Sequence, residues 1–478
     1  MSRLSRRSFL SGAAALTAAP ALGAVPKSGA VDVVIVGAGA AGIAAARQIA
    51  AAGRRFALIE ASERVGGRCI TDTRTFGVPF DRGAHWIHIP ETNPVLRLAR
   101  DGFQIDQAAR GLRLRIGRRN AREGELEDLL VAQVRSQRAI LAAARGTGDV
   151  SCAHALPNDL RDWQDTVAFV LGPYGVGKDL TDVSAKDFAK VDEREIDAVC
   201  RQGYGALLAK LAETIPVTRS TPVRGIDWNR GVTVETDSGR LTARAAIVTV
   251  STNVLAAGTI KFQPELPQPQ RDAIAKLSLG SYDHIALELP GNPLGLQHDE
   301  LIFEKAAGKE TAALLANVSG TDLCLVQVGG SFGRELAVRG EAAMTAFARD
   351  WLGKLYGSDI GKAIKRTAAT DWNAAPYIRG AFSAAAPGGQ PGRRVLMAPL
   401  RERIWFAGEA VHETLWGTVG GAWESGERAA ASVLAQLAVP PRPDRRAPRA
   451  QAPEQRPRRR ASPPSRFGPD SVPYPFQN

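Results

Sequence analysis

The sequence predicts an α/β fold, a parallel-sheet domain interleaved with a mixed α+β domain. Three observations predict it. A β-branched run, Val33–Val36, leads into Gly37-Ala38-Gly39-Ala40-Ala41-Gly42 and an alanine-rich segment. A second apolar run, Phe56–Ile59, ends at an acid, Glu60. Far downstream, the apolar run Ile404–Ala407 is followed by a glycine-rich stretch, Gly417–Gly421, and a further helix-forming segment. At 478 residues the chain exceeds one small core, and roughly 150 residues per domain suggests two or three domains.

The first element, Val33–Val36, is apolar on both faces and reads as a buried parallel strand. Gly37 permits a tight turn, Gly39 lets the backbone approach a pyrophosphate, and Gly42 lets the helix pack closely on the strand. The segment Ile43–Ala52 is predicted helical, with its N-terminus toward the phosphates. Glu60 stands 23 residues after Gly37, where an acid accepts hydrogen bonds from ribose hydroxyls and disfavours a 2′-phosphate. A lone GxGxxG is a weak signal. Strand, turn, helix, second strand and acid in register predict a Rossmann-type dinucleotide site.

The next residues choose the dinucleotide. Glu60-Ala61-Ser62-Glu63-Arg64-Val65-Gly66-Gly67-Arg68 contains an E-x3-R-x-G-G-R string. Gly67 and its neighbour make a loop that can lie against a pyrophosphate, and Arg64 and Arg68 offset its charge. This extension favours FAD over NAD. The C-terminal motif fits the same ligand: Gly408 and Glu409 follow a strand at its carboxyl end, and Thr418 and Val419 open a helix predicted over Ala422–Leu437.

The net charge of +12 does not argue for a nucleic-acid partner, because it is concentrated at the ends. The Pro/Arg-rich tail 440–478 contributes +6 and the first 24 residues contribute +3, which leaves +3 for the rest. That tail cannot bury apolar surface and is expected to be disordered. The start, Ser5-Arg6-Arg7-Ser8-Phe9-Leu10 with the uncharged run Ala13–Ala24, is a twin-arginine signal. It predicts residues 1–24 as a signal peptide read by the Tat export machinery, and a periplasmic or secreted protein loaded with cofactor before export. No segment reaches the roughly 18 apolar residues of a membrane span, so no stable membrane insertion is expected. Cys69, Cys152, Cys200 and Cys324 have no metal-ligand spacing and read as free thiols, so no metal is expected.

With these motifs in place, the chain resembles the flavin-containing amine oxidases, the family of monoamine oxidases, polyamine oxidases and flavin histone demethylases. Asp81-Arg82-Gly83-Ala84-His85-Trp86-Ile87-His88 and Asn93-Pro94-Val95 resemble the polyamine-oxidase strings. Trp405–Glu409 and Gly417–Gly426 resemble the family's second flavin-binding segment. The likeness spans roughly residues 30 to 438.

The resemblance implies roles for further residues. Val223 matches a position that contacts the adenine through its backbone. Arg379-Gly380-Ala381-Phe382-Ser383 resembles the stretch carrying one aromatic wall of the substrate slot, with Phe382 as that wall. Trp416 lies one residue from the other wall, at whose place stands Leu415. Ala381 occupies the position of the cysteine that bonds to flavin in monoamine oxidases, so FAD is expected to be non-covalent. His88 falls near the substrate channel. The family's lysine, which holds a water at the flavin, is replaced by His284, whose charge is expected to change near neutral pH. Catalytic candidates are therefore His284, Phe382, Trp416 and His88.

The implied architecture is an FAD-binding domain from 30–90, 203–260 and 390–438, interleaved with a substrate domain from 91–202 and 261–389. Leu126–Arg145 is predicted to be an amphipathic helix in the latter. The implied activity is oxidation of a small-molecule amine, polyamines leading, by hydride transfer to flavin, with imine hydrolysis and peroxide formation from O2. The loss of the lysine motivates an alternative, a dehydrogenase passing electrons to a carrier protein. An L-amino-acid oxidase lacks a convincing arginine clamp, and a non-catalytic flavin-binding module is the remaining reading.

Overall fold

The computed structural model describes residues 31–99, 102–108, 111–191 and 197–438; the predicted signal segment and the Pro/Arg tail lie outside these. A five-stranded sheet organises the dinucleotide motifs. Its order is Val217–Thr218, Phe56–Ile59, Val33–Val36, Ala245–Val248, Ile404–Phe406. Val33–Val36 pairs in parallel with both neighbours, and every one of its side chains is buried. This is why its sequence is apolar without alternation: Val33 and Ile35 share a core with the flanking helices, and Val34 and Val36 share one with the strands Val223–Asp227 and Val232–Thr236.

The helix after the first strand runs Ala40–Ala51, three residues earlier than its apolar pattern suggested. It begins inside the glycine motif, where the Ile43 N–H donates to the Gly39 carbonyl at 2.9 Å, and at Gly42 there is no room for a side chain. A Cβ there would sit 1.8 Å from the Gly37 carbonyl oxygen. The C-terminal helix, Val419–Ala438, packs on it equally tightly, since a Cβ on Gly426 would meet the Ala41 carbonyl oxygen at 2.1 Å. Two sequence segments almost 400 residues apart thus meet through small residues at one cofactor cradle.

Val223–Asp227 and Val232–Thr236 do not join this sheet. They build a separate four-stranded sheet with Gly239–Ala243 and Lys261–Gln263. A seven-stranded sheet contains Tyr282–Glu288 and Leu323–Gly329, fully paired in antiparallel register with His284 opposite Gln327. A third small sheet places Ile87–His88 against Asp197–Cys200, with His88 directly opposite Asp197. The amphipathic helix runs Glu123–Ala144 rather than 126–145, because the Glu125 carboxylate accepts the Arg122 backbone N–H at 2.8 Å and starts the helix early. Among the described residues, no helix is long and apolar enough to cross a membrane.

Candidate active site

One cavity of about 1750 Å³ connects the motifs. Of the residues singled out from the sequence, Gly37, Gly39, Glu60, Arg64, Gly67, Arg68, Val223, Gly408, Glu409, Thr418 and Val419 line it. So do His88, His284, Phe382 and Trp416. Gly42 lies behind the lining, where its role is the close packing described above.

The first part of the cavity is built to hold an anion. Helix Ala40–Ala51 has no side-chain cap at Gly39, so its first-turn N–H groups remain for a ligand. Thr418 opens the second helix: its hydroxyl accepts the Gly421 N–H at 2.9 Å and donates to the Leu415 carbonyl at 2.7 Å. Glu60 is buried, accepting the Ala38 N–H at 2.7 Å and the Ser62 hydroxyl at 2.7 Å. These contacts fix its carboxylate at the end of the second strand, where a ribose would lie. The uncapped amides, glycine loop and fixed acid fit a dinucleotide.

Glu409 also makes contacts within the protein that its motif did not show. Its carboxylate is filled by protein donors: Arg68 at 2.9 Å, the Ser383 hydroxyl at 2.7 Å and the Gly417 N–H at 2.9 Å. Burial alone would raise its pKa; Arg68, the Ser383 hydrogen bond and Arg393 outweigh that and hold it below the ordinary value. Arg68 also donates to the Ala381 carbonyl at 2.6 Å, and Arg64 to the Gly67 carbonyl at 2.9 Å. Glu409 therefore ties together the arginine loop, the Phe382 segment and the C-terminal glycine turn.

Phe382 is bracketed by backbone: a Cβ on Gly177 or Gly417 would come within 3.3 Å of its ring. Trp416 is only 1% exposed and stacks under Arg393, whose guanidinium carbon lies 4.8 Å from the ring centroid. Arg393 itself is fully buried and bidentate to Asp187, with two contacts of 2.7 Å. Sequence inspection missed this pair, because a lone arginine and a lone aspartate 206 residues apart carry no local signal.

His284 corrects one expectation. Its charge does not switch near neutral pH. Burial, then the neighbouring His85, push its pKa down to about 4, against a weaker opposing pull from Asp81. The imidazole is neutral, and its Nδ1 lies 3.2 Å from the Asp81 carbonyl oxygen. A carbonyl only accepts, so Nδ1 carries the proton and Nε2 is an acceptor. The Asp81 carboxylate holds His85 in turn, at 3.1 Å. His88 pairs with Asp197 at 2.7 Å. The four cysteines are free and buried, and burial raises the pKa of each thiol.

Comparison with known proteins decides the assignment. A family model described as flavin containing amine oxidoreductase matches residues 40–187 and 113–434. The chain belongs to this family. Membership makes a flavin the ligand expected in this dinucleotide cradle, and position 381 is an alanine, which has no thiol to bond to it. It is 26% identical to lysine-specific histone demethylase 1 homolog 3 of Arabidopsis thaliana, over 84% of this chain and 30% of that protein. It is 25% identical to polyamine oxidase 4 of Oryza sativa subsp. japonica, over 85% of this chain and 90% of that protein. The chain thus spans less than a third of the first relative and most of the second. Cyclohexylamine oxidase from Brevibacterium oxydans shares the fold, with a TM-score of 0.73 at 20% identity, over 85% of this chain and 99% of that one.

Proposed function

We propose that the chain oxidises a small primary or secondary amine, polyamine-like substrates foremost, to an imine that water hydrolyses, with O2 accepting the electrons and peroxide formed. The observation that carries this reading is the single cavity joining the dinucleotide loops to a lobe walled by Phe382, Tyr282 and Tyr174. Bound FAD supplies the two-electron acceptor. The chain's own residues do the rest. An aromatic, desolvated slot disfavours the ammonium form, so the reacting amine is neutral where its C–H bond is broken. His284 Nε2, an acceptor, can take a hydrogen bond from a water or from the amine. The test is anaerobic mixing of the FAD-loaded protein with spermidine, putrescine, tyramine and amino acids while flavin absorbance is followed, then admission of air and assay of peroxide. No bleaching with any amine sinks the reading.

A second reading has its own observation. O2 reduction builds negative charge and gains from a nearby cation. His284, neutral with a pKa of about 4, supplies none. Transfer of electrons to a carrier protein instead would appear as bleaching without rapid reoxidation in air.

The twin-arginine segment supports a further proposal, export of the folded holoprotein to the periplasm. Replacing Arg6 and Arg7 with lysine and fractionating cells tests it; unchanged periplasmic activity counts against it.

A further inference from the structure

The long helix Glu123–Ala144 carries an apolar stripe that the fold leaves uncovered. Among the described residues six large apolar side chains are exposed, and four of them are on this helix: Leu130, Val131, Val134 and Leu141, each at least 40% exposed. The inner face is already occupied, since Leu129, Ala132 and Ile140 share a core with Phe169, Leu171 and Val183. At 3.6 residues per turn, Leu130, Val134 and Leu141 line up within about 40° of one another on the opposite face, with Val131 beside them. A contiguous exposed stripe of this kind marks an interaction surface.

The charges along the stripe are sorted by sign. Glu123 and Glu127 stand at its start, Arg138 and Arg145 toward its end, and all four are exposed. Two other charges of the helix are satisfied within the chain, Glu125 by Arg119 and Arg135 by Asp159. Among the described residues, Glu123, Glu127, Arg138 and Arg145 have no ion-pair partner. Val134 is the midpoint of the pattern. Glu123 and Arg145 each stand 11 residues from it, and Glu127 and Leu141 each stand seven. Turned end for end, the stripe is its own electrostatic complement.

We propose that this face is the interface of a two-fold homodimer, in which the helix pairs with the same helix of a second copy, antiparallel and centred on Val134. In that register Glu123 of one copy faces Arg145 of the other. Glu127 falls opposite Leu141, with Arg138 and Arg145 one turn to either side. The apolar residues meet in the middle and leave water. A parallel pairing would set acid against acid and arginine against arginine, so charge selects the antiparallel one. Such a contact is isologous and closes at two copies. A lipid surface is a poorer match, because the acidic half of the stripe would face anionic headgroups. The interface also borders the active site. Gln133, Gln137 and Leu141 line the cavity, and Leu141 is exposed as well, so the cavity reaches the surface beside this helix. The second copy thus supplies part of the rim that a substrate passes.

Sedimentation equilibrium of the FAD-loaded full chain should give twice the chain mass. Glu127→Arg, and separately Arg138→Glu combined with Arg145→Glu, should each halve that mass, since each sets like charges across the axis. Mixed together, the two variants should return to the dimer mass, because each then faces the opposite sign. Mixing does not cure a folding defect, and thermal melting of each variant checks the fold separately. Val134→Cys, on the two-fold axis, should cross-link to its own copy on mild oxidation, whereas Val338→Cys, exposed on the helix Gly330–Val338, should not. The native cysteines are buried and stay out of this reaction. A monomeric wild type, reversal variants that stay dimeric, a mixture that stays monomeric, or equal cross-linking at positions 134 and 338 overturns the proposal. A wild-type monomer that co-sediments with phosphatidylglycerol vesicles also overturns it and assigns the face to lipid.

Discussion

His284 Nδ1 lies 3.2 Å from the main-chain carbonyl oxygen of Asp81, and this contact fixes which imidazole nitrogen carries the proton. The result is a buried neutral histidine whose Nε2 accepts rather than donates. An ammonium at the same position would donate and bring a charge. Replacing His284 with lysine should therefore speed reoxidation of the reduced flavin by O2, on the order of tenfold for each ~1.4 kcal/mol of added electrostatic stabilisation. Stopped-flow mixing of anaerobically reduced protein with oxygenated buffer measures it. An unchanged rate would remove charge at this position from the account of oxygen reactivity.

The same histidine predicts a pH effect on stability. Its folded pKa of about 4 lies below the ordinary 6.5. As pH falls through that window, the unfolded chain takes up the proton first, so stability is full above 6.5 and is lost toward 4. The slope is about 1.4 kcal/mol per pH unit for one proton. Asp283 next to it works in the opposite direction. Burial raises its pKa to about 7 from 3.8, despite hydrogen bonds from Trp372 and Thr370, so its contribution is full below 3.8 and fades as pH rises to 7. The wild-type profile mixes the two. The difference between wild type and His284→Gln in urea midpoints from pH 4 to 7 isolates the histidine: the variant should lose less stability on acidification.

Glu409 gives a third prediction. Its carboxylate holds Arg68, Ser383 and Gly417 together. Glu409→Gln removes the charge and leaves Arg68 with a neutral partner at a buried site. Hydrogen bonds to charged groups contribute about 1.5–3 kcal/mol, so the FAD dissociation constant should rise by about 10–100-fold even where the carboxylate does not touch the cofactor. Titration of the apoprotein with FAD, read by flavin fluorescence, checks this. Unchanged affinity would confine Glu409 to a local structural contact.

How much of this was legible in the sequence follows from how local each signal is. The cofactor cradle was readable because Gly37, Gly39, Gly42 and Glu60 act within one short strand–turn–helix unit. Helix starts were misplaced where glycine and capping chemistry, rather than apolar period, set the boundary, as at Ala40 and Glu123. The tie at Glu409 and the pairing of His88 with Asp197 were not legible, because each joins residues brought together only by sheet topology. The pKa of His284 was missed for a related reason. Composition shows a histidine but not its burial or the nearness of His85.

The buried pair Arg393–Asp187 carries the last prediction. Both side chains are fully buried, and Arg393 also donates to the Ala410 carbonyl at 3.0 Å while stacking on Trp416. Arg393→Met should cost about 3–5 kcal/mol, because it leaves Asp187 buried without a counter-charge. Asp187→Asn in the same chain removes that orphaned charge. The double variant should therefore be more stable than Arg393→Met alone, and the coupling should exceed about 0.5 kcal/mol. Chemical denaturation of the four proteins completes the cycle. If the two substitutions simply add, the pair does not act as a unit, and Trp416 is held by the buried apolar cluster it shares with Leu171, Val176 and Ala384.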